Sequence, residues 1–339
     1  MVISRTPFRI SFFGGGTDYP DWYRKNGGVV LATTINKYCY LTVRYLPPFF
    51  ENKYRIIYNI VERCKKVDEI MHPAVREIIK FLRIKEGLEI HHDGDLPARS
   101  GLGSSSAFTV GFLHALYALT GHMPNKHKLA KESIYLEQEV LKETVGSQDQ
   151  VLAAYGGFNH ITFQKSGEMI IKPVTISSQR IEELQNHLML FYTGISRTAS
   201  DIAKTFVPNL EQKEKQLFAM NYMVNQALNI LNSKQGINDF GKLLNEAWNL
   251  KRSLSPSVSN PFIDELYSSA LAQGATGGKI IGAGGGGFLL FFVPTSHQAK
   301  VKKKFSKLIH VPFKFEYLGS QIIFLDQQED YSINKKRKT

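Results

Sequence analysis

Residues 95–107 read Asp-Leu-Pro-Ala-Arg-Ser-Gly-Leu-Gly-Ser-Ser-Ser-Ala, and this stretch restricts the fold more than any other. Gly101 and Gly103 permit positive φ and close backbone approach, while Ser104, Ser105 and Ser106 supply hydroxyls and candidate helix caps. Phe108, Phe112, Leu116 and Leu119 follow at helical spacing, which predicts a helix over 107–121. A glycine-serine loop at a helix N-terminus presents unpaired N–H groups and the positive end of the helix dipole, a cradle for phosphate. No Gly-Lys-Ser/Thr follows and the Gly-x-Gly-x-x-Gly spacing is absent, so neither the Walker loop nor the dinucleotide fingerprint fits. A turn that merely caps a helix has the same local sequence, so the rest of the chain has to decide.

A chain of 339 residues with 43% hydrophobic content predicts two packed domains. No run reaches the roughly 20 apolar residues of a membrane span, and the first residues lack a signal-peptide pattern; the expectation is a cytoplasmic protein without membrane partners. Cys39 and Cys64 are too few for a disulfide scaffold and lack metal-site spacing. The net charge of +12 raises nucleic-acid binding, fed by the basic run 300–307 and the tail Lys335-Lys336-Arg337-Lys338. The first reads as the solvated face of an amphipathic helix with Val301, Phe305 and Leu308 inward, and no reader motif accompanies either run. No nucleic-acid partner is expected; a basic surface also suits anionic small molecules.

Strand character over 2–13 leads into Gly14-Gly15-Gly16-Thr17-Asp18, too glycine-rich for helix. Residues 29–43, β-branched and aromatic but broken by Asn36-Lys37, predict two strands or one bent strand. Helices are expected over 73–83 and 126–142, strands over 88–92, 155–163 and 168–174. Beyond 180 the pattern turns helical (198–206, 211–231, 239–254, 261–273), with strands over 187–192, 279–281 and 288–293 around Gly282-Ala283-Gly284-Gly285-Gly286-Gly287, and 311–317 and 321–325 extended. The mixture predicts an α+β fold of two lobes, divided near residue 180.

Glycine-rich segments at 14–16, 101–103 and 282–287, with Gly146-Ser147-Gln148-Asp149-Gln150 between the second and third, form a specific combination. It resembles the GHMP kinases, which transfer the γ-phosphoryl group of ATP to a small-molecule acceptor. The resemblance implies an N-terminal ATP-binding domain over 1–180, a C-terminal α/β domain over 181–330 and a basic tail over 331–339, and it is compatible with a homodimer. It implies that Gly101, Leu102, Gly103, Ser104, Ser105 and Ser106 bind ATP phosphates, and that 282–287 packs beside them.

The run Arg5-Thr-Pro-Phe-Arg-Ile-Ser-Phe-Phe-Gly-Gly-Gly-Thr-Asp18 resembles the sugar-binding motif of sugar 1-kinases. By that resemblance Arg9 lies near the attacked phosphate, Asp18 with Gly15 and Gly16 binds sugar, and Arg197 and Gly285 contribute from the second lobe. Galactokinases have Gly-Glu-His where Gly14-Gly15-Gly16 stands, which argues against galactose. The triple glycine, Gly27-Gly28-Val29-Val30-Leu31 and Tyr192-Thr-Gly-Ile-Ser-Arg197 resemble the D-glycero-D-manno-heptose 7-phosphate kinase branch, with L-fucokinases close by; a catalytically silent sugar sensor is the non-enzymatic alternative. The branch implies a sugar phosphate acceptor, phosphorylated at the anomeric hydroxyl to a 1,7-bisphosphate.

Asp149 resembles the family's catalytic carboxylate. A sugar hydroxyl is a weak nucleophile at neutral pH, so a carboxylate within hydrogen-bonding reach helps as charge develops on its oxygen. Glu137, nine residues before Gly146, stands at the family spacing of the magnesium-binding glutamate, with Glu139 as rival. The two point roughly 200° apart on a helix, so both cannot face the loop. Glu137 with the Ser105 hydroxyl is the expected Mg²⁺ set, Ser104 being the second candidate serine, since a hard cation prefers oxygen ligands. His91 and His92 would face opposite sides of a strand, which excludes a shared metal.

Overall fold

The computed structural model describes residues 1–197, 199–233 and 236–326; the expected basic tail over 331–339 lies outside the described residues. Strand β1 (Val2–Phe13) pairs antiparallel with β2 (Gly28–Tyr45), which is one bent strand. Pro7 faces Tyr38 while Phe8 faces Ile35, so Asn36 and Lys37 are the extra residues of a bulge. A bulge sharpens the local twist, and this one lies at the foot of the segment that carries Arg9.

Strands β3 (Tyr54–Ile57), β4 (Val61–Cys64), β5 (Leu88–Gly94), β6 (Phe158–Phe163) and β7 (Met169–Pro173) extend this sheet. Only β3 and β5 run parallel; β6 takes the Gly28–Thr33 end of β2 and carries β7. The second sheet, in order β11-β8-β10-β9, joins β8 (Leu188–Tyr192), β9 (Gly277–Ile280), β10 (Phe288–Phe292) and β11 (Ile309–Val311), all antiparallel.

The chain's end departs from the expected division. Strands β12 (Phe315–Glu316) and β13 (Gln321–Leu325) return to the first sheet, pairing with β2 and β1, so the last part of 181–330 is not confined to the second lobe. Along β1 the ladder with β13 stops at Arg5. Beyond it Pro7 has no N–H to offer, and the Arg9 N–H instead donates to the Leu102 carbonyl at 3.0 Å, which ties the glycine-serine loop to the vacated strand edge.

The lobes meet through aromatic packing. Phe12 and Phe13 of β1 set their rings edge-on against Phe240 of the helix Asn238–Arg252, at 5.5 and 5.1 Å, and Phe240 continues to Phe292 at 6.2 Å. Edge-to-face pairs of buried rings add to the area they remove from water, so the lobes share an apolar contact.

The expected 126–142 helix divides into an α-helix, Lys126–Tyr135, and a π-turn, Leu136–Val140. Short helices at Pro20–Asn26 and Ser178–Asn186 escaped the sequence reading. In the basic run the helix Gln298–Lys304 buries Val301, with Phe305 buried after it and Lys302, Lys303 and Lys304 exposed. No described helix is long and apolar enough to cross a membrane.

Candidate active site

The helix after the glycine-serine loop runs Ser104–Leu119, and its N-cap is Gly103 in the left-handed region (φ 76°, ψ 28°) with no side-chain cap. The serines are therefore free of the capping role expected of them. Ser104 Oγ accepts from the Arg99 N–H at 3.2 Å, Ser105 is exposed, and Ser106 is buried. Leu102 is fully buried and anchors the loop.

The glycines allow this loop and 282–287 to meet backbone to backbone. A Cβ on Gly101 (φ +85°) would lie 2.3 Å from the Ile281 carbonyl oxygen, and one on Gly282 (φ +83°) 2.6 Å from that of Gly101. Arg197 is exposed beside Gly285; its N–H donates to the Arg99 carbonyl at 3.1 Å, a further tie between the two lobes.

Arg9 and Asp149 face each other across the loop. Arg9 Nε donates to Asp149 Oδ1 at 2.7 Å and Nη2 to Oδ2 at 2.6 Å, while Nη1 donates to the Gly101 carbonyl. Asp149 sits in the first turn of the helix Gln148–Tyr155, and its side chain keeps 22% exposure against 7% for Arg9. Asp18 is buried, accepting from the Gly16 N–H at 2.9 Å and the Gln148 N–H at 3.4 Å. Burial raises its carboxyl above the ordinary range, opposed by those backbone donors. A Cβ on Gly146 would fall 1.9 Å from Asp18 Oδ2, which explains the glycine that opens the 146–150 segment.

Glu137 lies in the π-turn and is wholly buried, whereas Glu139 is exposed and pairs with Lys142. The wide turn adds a residue to the helix and changes which side chains face inward. Glu137 Oε2 accepts from Ser106 Oγ at 2.9 Å and from Gln150 Nε2, so Ser106 is hydrogen-bonded to this carboxylate while Ser105, the expected metal partner, is not. Residue 106 follows 105 by about 100° around the helix, so the exposed Ser105 hydroxyl points elsewhere. Oε1 has no hydrogen-bond partner among the described residues. Burial, with Glu143 adding to it, pushes the Glu137 carboxyl up to about 8. A buried carboxylate with one open oxygen fits a divalent cation, which would repay the desolvation and favour the ionised form.

Between the lobes a cleft is lined by Arg9, Gly15, Gly16, Asp18 and Asp149 together with Lys251 and Lys279. Sequence reasoning missed both lysines. Lys251 shares the buried stripe of its helix with Phe240, Leu244, Ala247 and Trp248, and Lys279 lies in the fully buried β9. A lysine at a core position was the available signal, since lysine is almost never buried without a partner. His91 contacts Glu89 and His92 packs edge-on against Phe108, and no group of three or more His, Cys, Asp or Glu among the described residues could hold a metal.

Two family models match the chain, the GHMP kinases N terminal domain over residues 65–157 and the GHMP kinases C terminal domain over 216–310. A D-glycero-alpha-D-manno-heptose 7-phosphate kinase from Campylobacter jejuni is 31% identical over 322 residues, covering 89% of this chain and 92% of that protein. A bifunctional fucokinase/GDP-fucose pyrophosphorylase from Arabidopsis thaliana is 25% identical over 87% of this chain, which spans 30% of its length. Among solved structures, a D-glycero-D-manno-heptose 1-phosphate kinase from Bacteroides thetaiotaomicron superposes with a TM-score of 0.79 at 22% identity, covering 96% of this chain and all of the other.

Proposed function

The chain belongs to the GHMP kinases, and from that premise we propose that it phosphorylates D-glycero-D-manno-heptose 7-phosphate at the anomeric hydroxyl, giving the 1,7-bisphosphate. The heptose kinase, fucokinase and galactokinase relatives make it a sugar kinase, with ATP as the family's phosphoryl donor; the identity of the sugar is the inference. The observation that carries it is the Arg9–Asp149 pair set against the interlocked glycine loops, in a chain that matches a heptose 7-phosphate kinase almost end to end.

In this reading the backbone of 101–103 and the first turn of the helix Ser104–Leu119 hold the ATP phosphates. Asp149 accepts the proton of the attacking hydroxyl, and Arg9 fixes its orientation while adding positive charge near the transferred group. Asp18, already braced by backbone N–H groups, orients the sugar from the cleft floor. Glu137 with a serine hydroxyl of the adjoining turn would hold Mg²⁺, which would supply positive charge to the ATP phosphates. The bisphosphate leads toward nucleotide-activated heptose for surface polysaccharides, in the cytoplasm.

Fucokinase relatives favour a second reading, a neutral sugar 1-kinase. An acceptor screen decides between them: heptose 7-phosphate, heptose 1-phosphate, L-fucose, galactose and mannose, each with ATP and Mg²⁺, followed by ADP release. Fastest turnover of heptose 7-phosphate is expected; preference for L-fucose overturns the assignment, and no turnover with any acceptor returns the chain to the sensor class.

A further inference from the structure

Lys251 and Lys279 enter the cleft from the second lobe, on the helix Asn238–Arg252 and on β9. They are 8% and 4% exposed. Each ammonium makes one hydrogen bond among the described residues, and each goes to a neutral carbonyl: Lys251 Nζ to Gly282, Lys279 Nζ to Phe12 at 2.8 Å. Neither is in an ion pair there. An ammonium has three donors, so most of their hydrogen-bonding capacity is unspent inside the protein.

The charges lining the cleft are Arg9, Lys251 and Lys279 against Asp18 and Asp149. Arg9 and Asp149 satisfy each other, which leaves two ammonium groups facing one buried carboxylate. Burial lowers both lysines, Lys251 to about 8 with Arg9 adding to the effect, and Lys279 well below the usual lysine range with Lys251 adding. Burying unpaired charge is costly, and a fold that bears the cost twice in one cleft is built for an anion that arrives later. The Gly282 carbonyl that fixes Lys251 belongs to the loop interlocked with Gly101, so its ammonium stands where the phosphate loop adjoins the Arg9–Asp149 pair.

We propose that Lys251 meets the transferred phosphoryl group as it passes from ATP to the acceptor hydroxyl, with Lys279 as a positioning residue behind it. The bond between the γ-phosphorus and the β,γ-bridging oxygen breaks, a bond from that phosphorus to the acceptor oxygen forms, the hydroxyl proton passes to Asp149, and ADP leaves. Charge on the equatorial oxygens is where a fixed cation stabilises the transition state most. The inference rests on the phosphoryl-transfer reading of the cleft and is independent of which sugar accepts.

The test compares wild type with Lys251→Met, Lys251→Gln and Lys251→Arg, using ADP and ADP–aluminium fluoride with Mg²⁺ and the best acceptor of the screen as calorimetric probes. The methionine and glutamine variants are expected to lose at least about 30-fold affinity for ADP–aluminium fluoride while ADP itself moves less than about threefold, with kcat lowered by about 10²-fold and arginine restoring most of it. Above about pH 8, where Glu137 is already ionised and Lys251 loses its proton, wild-type binding of ADP–aluminium fluoride should weaken, and the arginine variant should not. Equal losses for both probes, kcat within threefold in a folded methionine or glutamine variant, or a wild type that binds ADP–aluminium fluoride no tighter than ADP would each overturn the proposal. A failure of the heptose assignment changes only the acceptor used.

Discussion

Arg9 and Asp149, 140 positions apart in the chain, are joined by two parallel hydrogen bonds of 2.7 and 2.6 Å, and the third arm of the same guanidinium reaches the Gly101 carbonyl. Bidentate pairs of this kind fix orientation as well as adding energy. One side chain thus ties the carboxylate of one segment to the phosphate loop of another. Each Asp149 oxygen takes one hydrogen bond from the guanidinium and keeps acceptor capacity for a second partner, so the proposed proton transfer from a substrate hydroxyl needs no break in the pair.

Asp149→Asn keeps the shape of the side chain and removes its basicity. Turnover is expected to fall at least 10²-fold with ATP binding retained, as steady-state kinetics and nucleotide calorimetry would show. A variant with more than about a tenth of wild-type kcat would exclude proton acceptance by Asp149 and leave it a positioning role. Arg9→Met should lower kcat as well, and the double variant should lose much less than the product of the two, because both changes break one unit.

Glu137 gives a pH signature. Its folded carboxyl stands near 8 and its ordinary value near 4.5, so the folded state holds the extra proton between those values. Stability without metal should therefore fall as pH rises from about 4.5 to 8. Mg²⁺ selects the ionised form, so its affinity should rise with pH through the same window. Thermal melts with and without Mg²⁺–ADP across pH 5–9 measure both trends. Glu137→Gln should flatten them, and Glu139→Gln should not; the opposite result would move the metal to Glu139. Ser106→Ala should weaken Mg²⁺ dependence more than Ser105→Ala if the hydroxyl beside Glu137 is the one that matters.

Gly101→Ala and Gly121→Ala separate backbone strain from loop interlocking. Both glycines have positive φ, +85° and +75°, but a Cβ at 101 meets the Ile281 carbonyl and one at 121 meets nothing within 4 Å. Urea denaturation should show a cost of about 1 kcal/mol at 121 from backbone conformation alone. The cost at 101 should be clearly larger and accompanied by a raised KM for ATP. Equal costs with unchanged kinetics would mean that the loops do not depend on close approach.

The acceptor's own phosphate should be felt in the rate. Heptose lacking the 7-phosphate is expected to show kcat/KM lower by at least about 10²-fold, the worth of roughly two charge-assisted hydrogen bonds. Comparable turnover of the unphosphorylated sugar would assign the chain to the neutral-sugar branch.

The sequence by itself determined the features set by local chemistry. The close backbone approaches at Gly101 and Gly282 admit glycine and little else, and the glycine-rich segments marked the two loops that meet there. Strand character marked β1, β-branched and aromatic content marked β2, and apolar periodicity marked the helix Ser104–Leu119. Short elements such as Pro20–Asn26 were missed because seven residues carry too little periodicity, although Pro20 at the helix start and Gly27 at its end were readable signals. The tertiary structure alone decided which distant residues meet. It brought β13 back to β1, set Ser106 against Glu137, closed Arg9 on Asp149, and carried Lys251 and Lys279 into the cleft. Local sequence sets φ, ψ and which face of an element is apolar; the meeting of side chains a hundred or more residues apart depends on register and lobe packing, which only the assembled chain fixes.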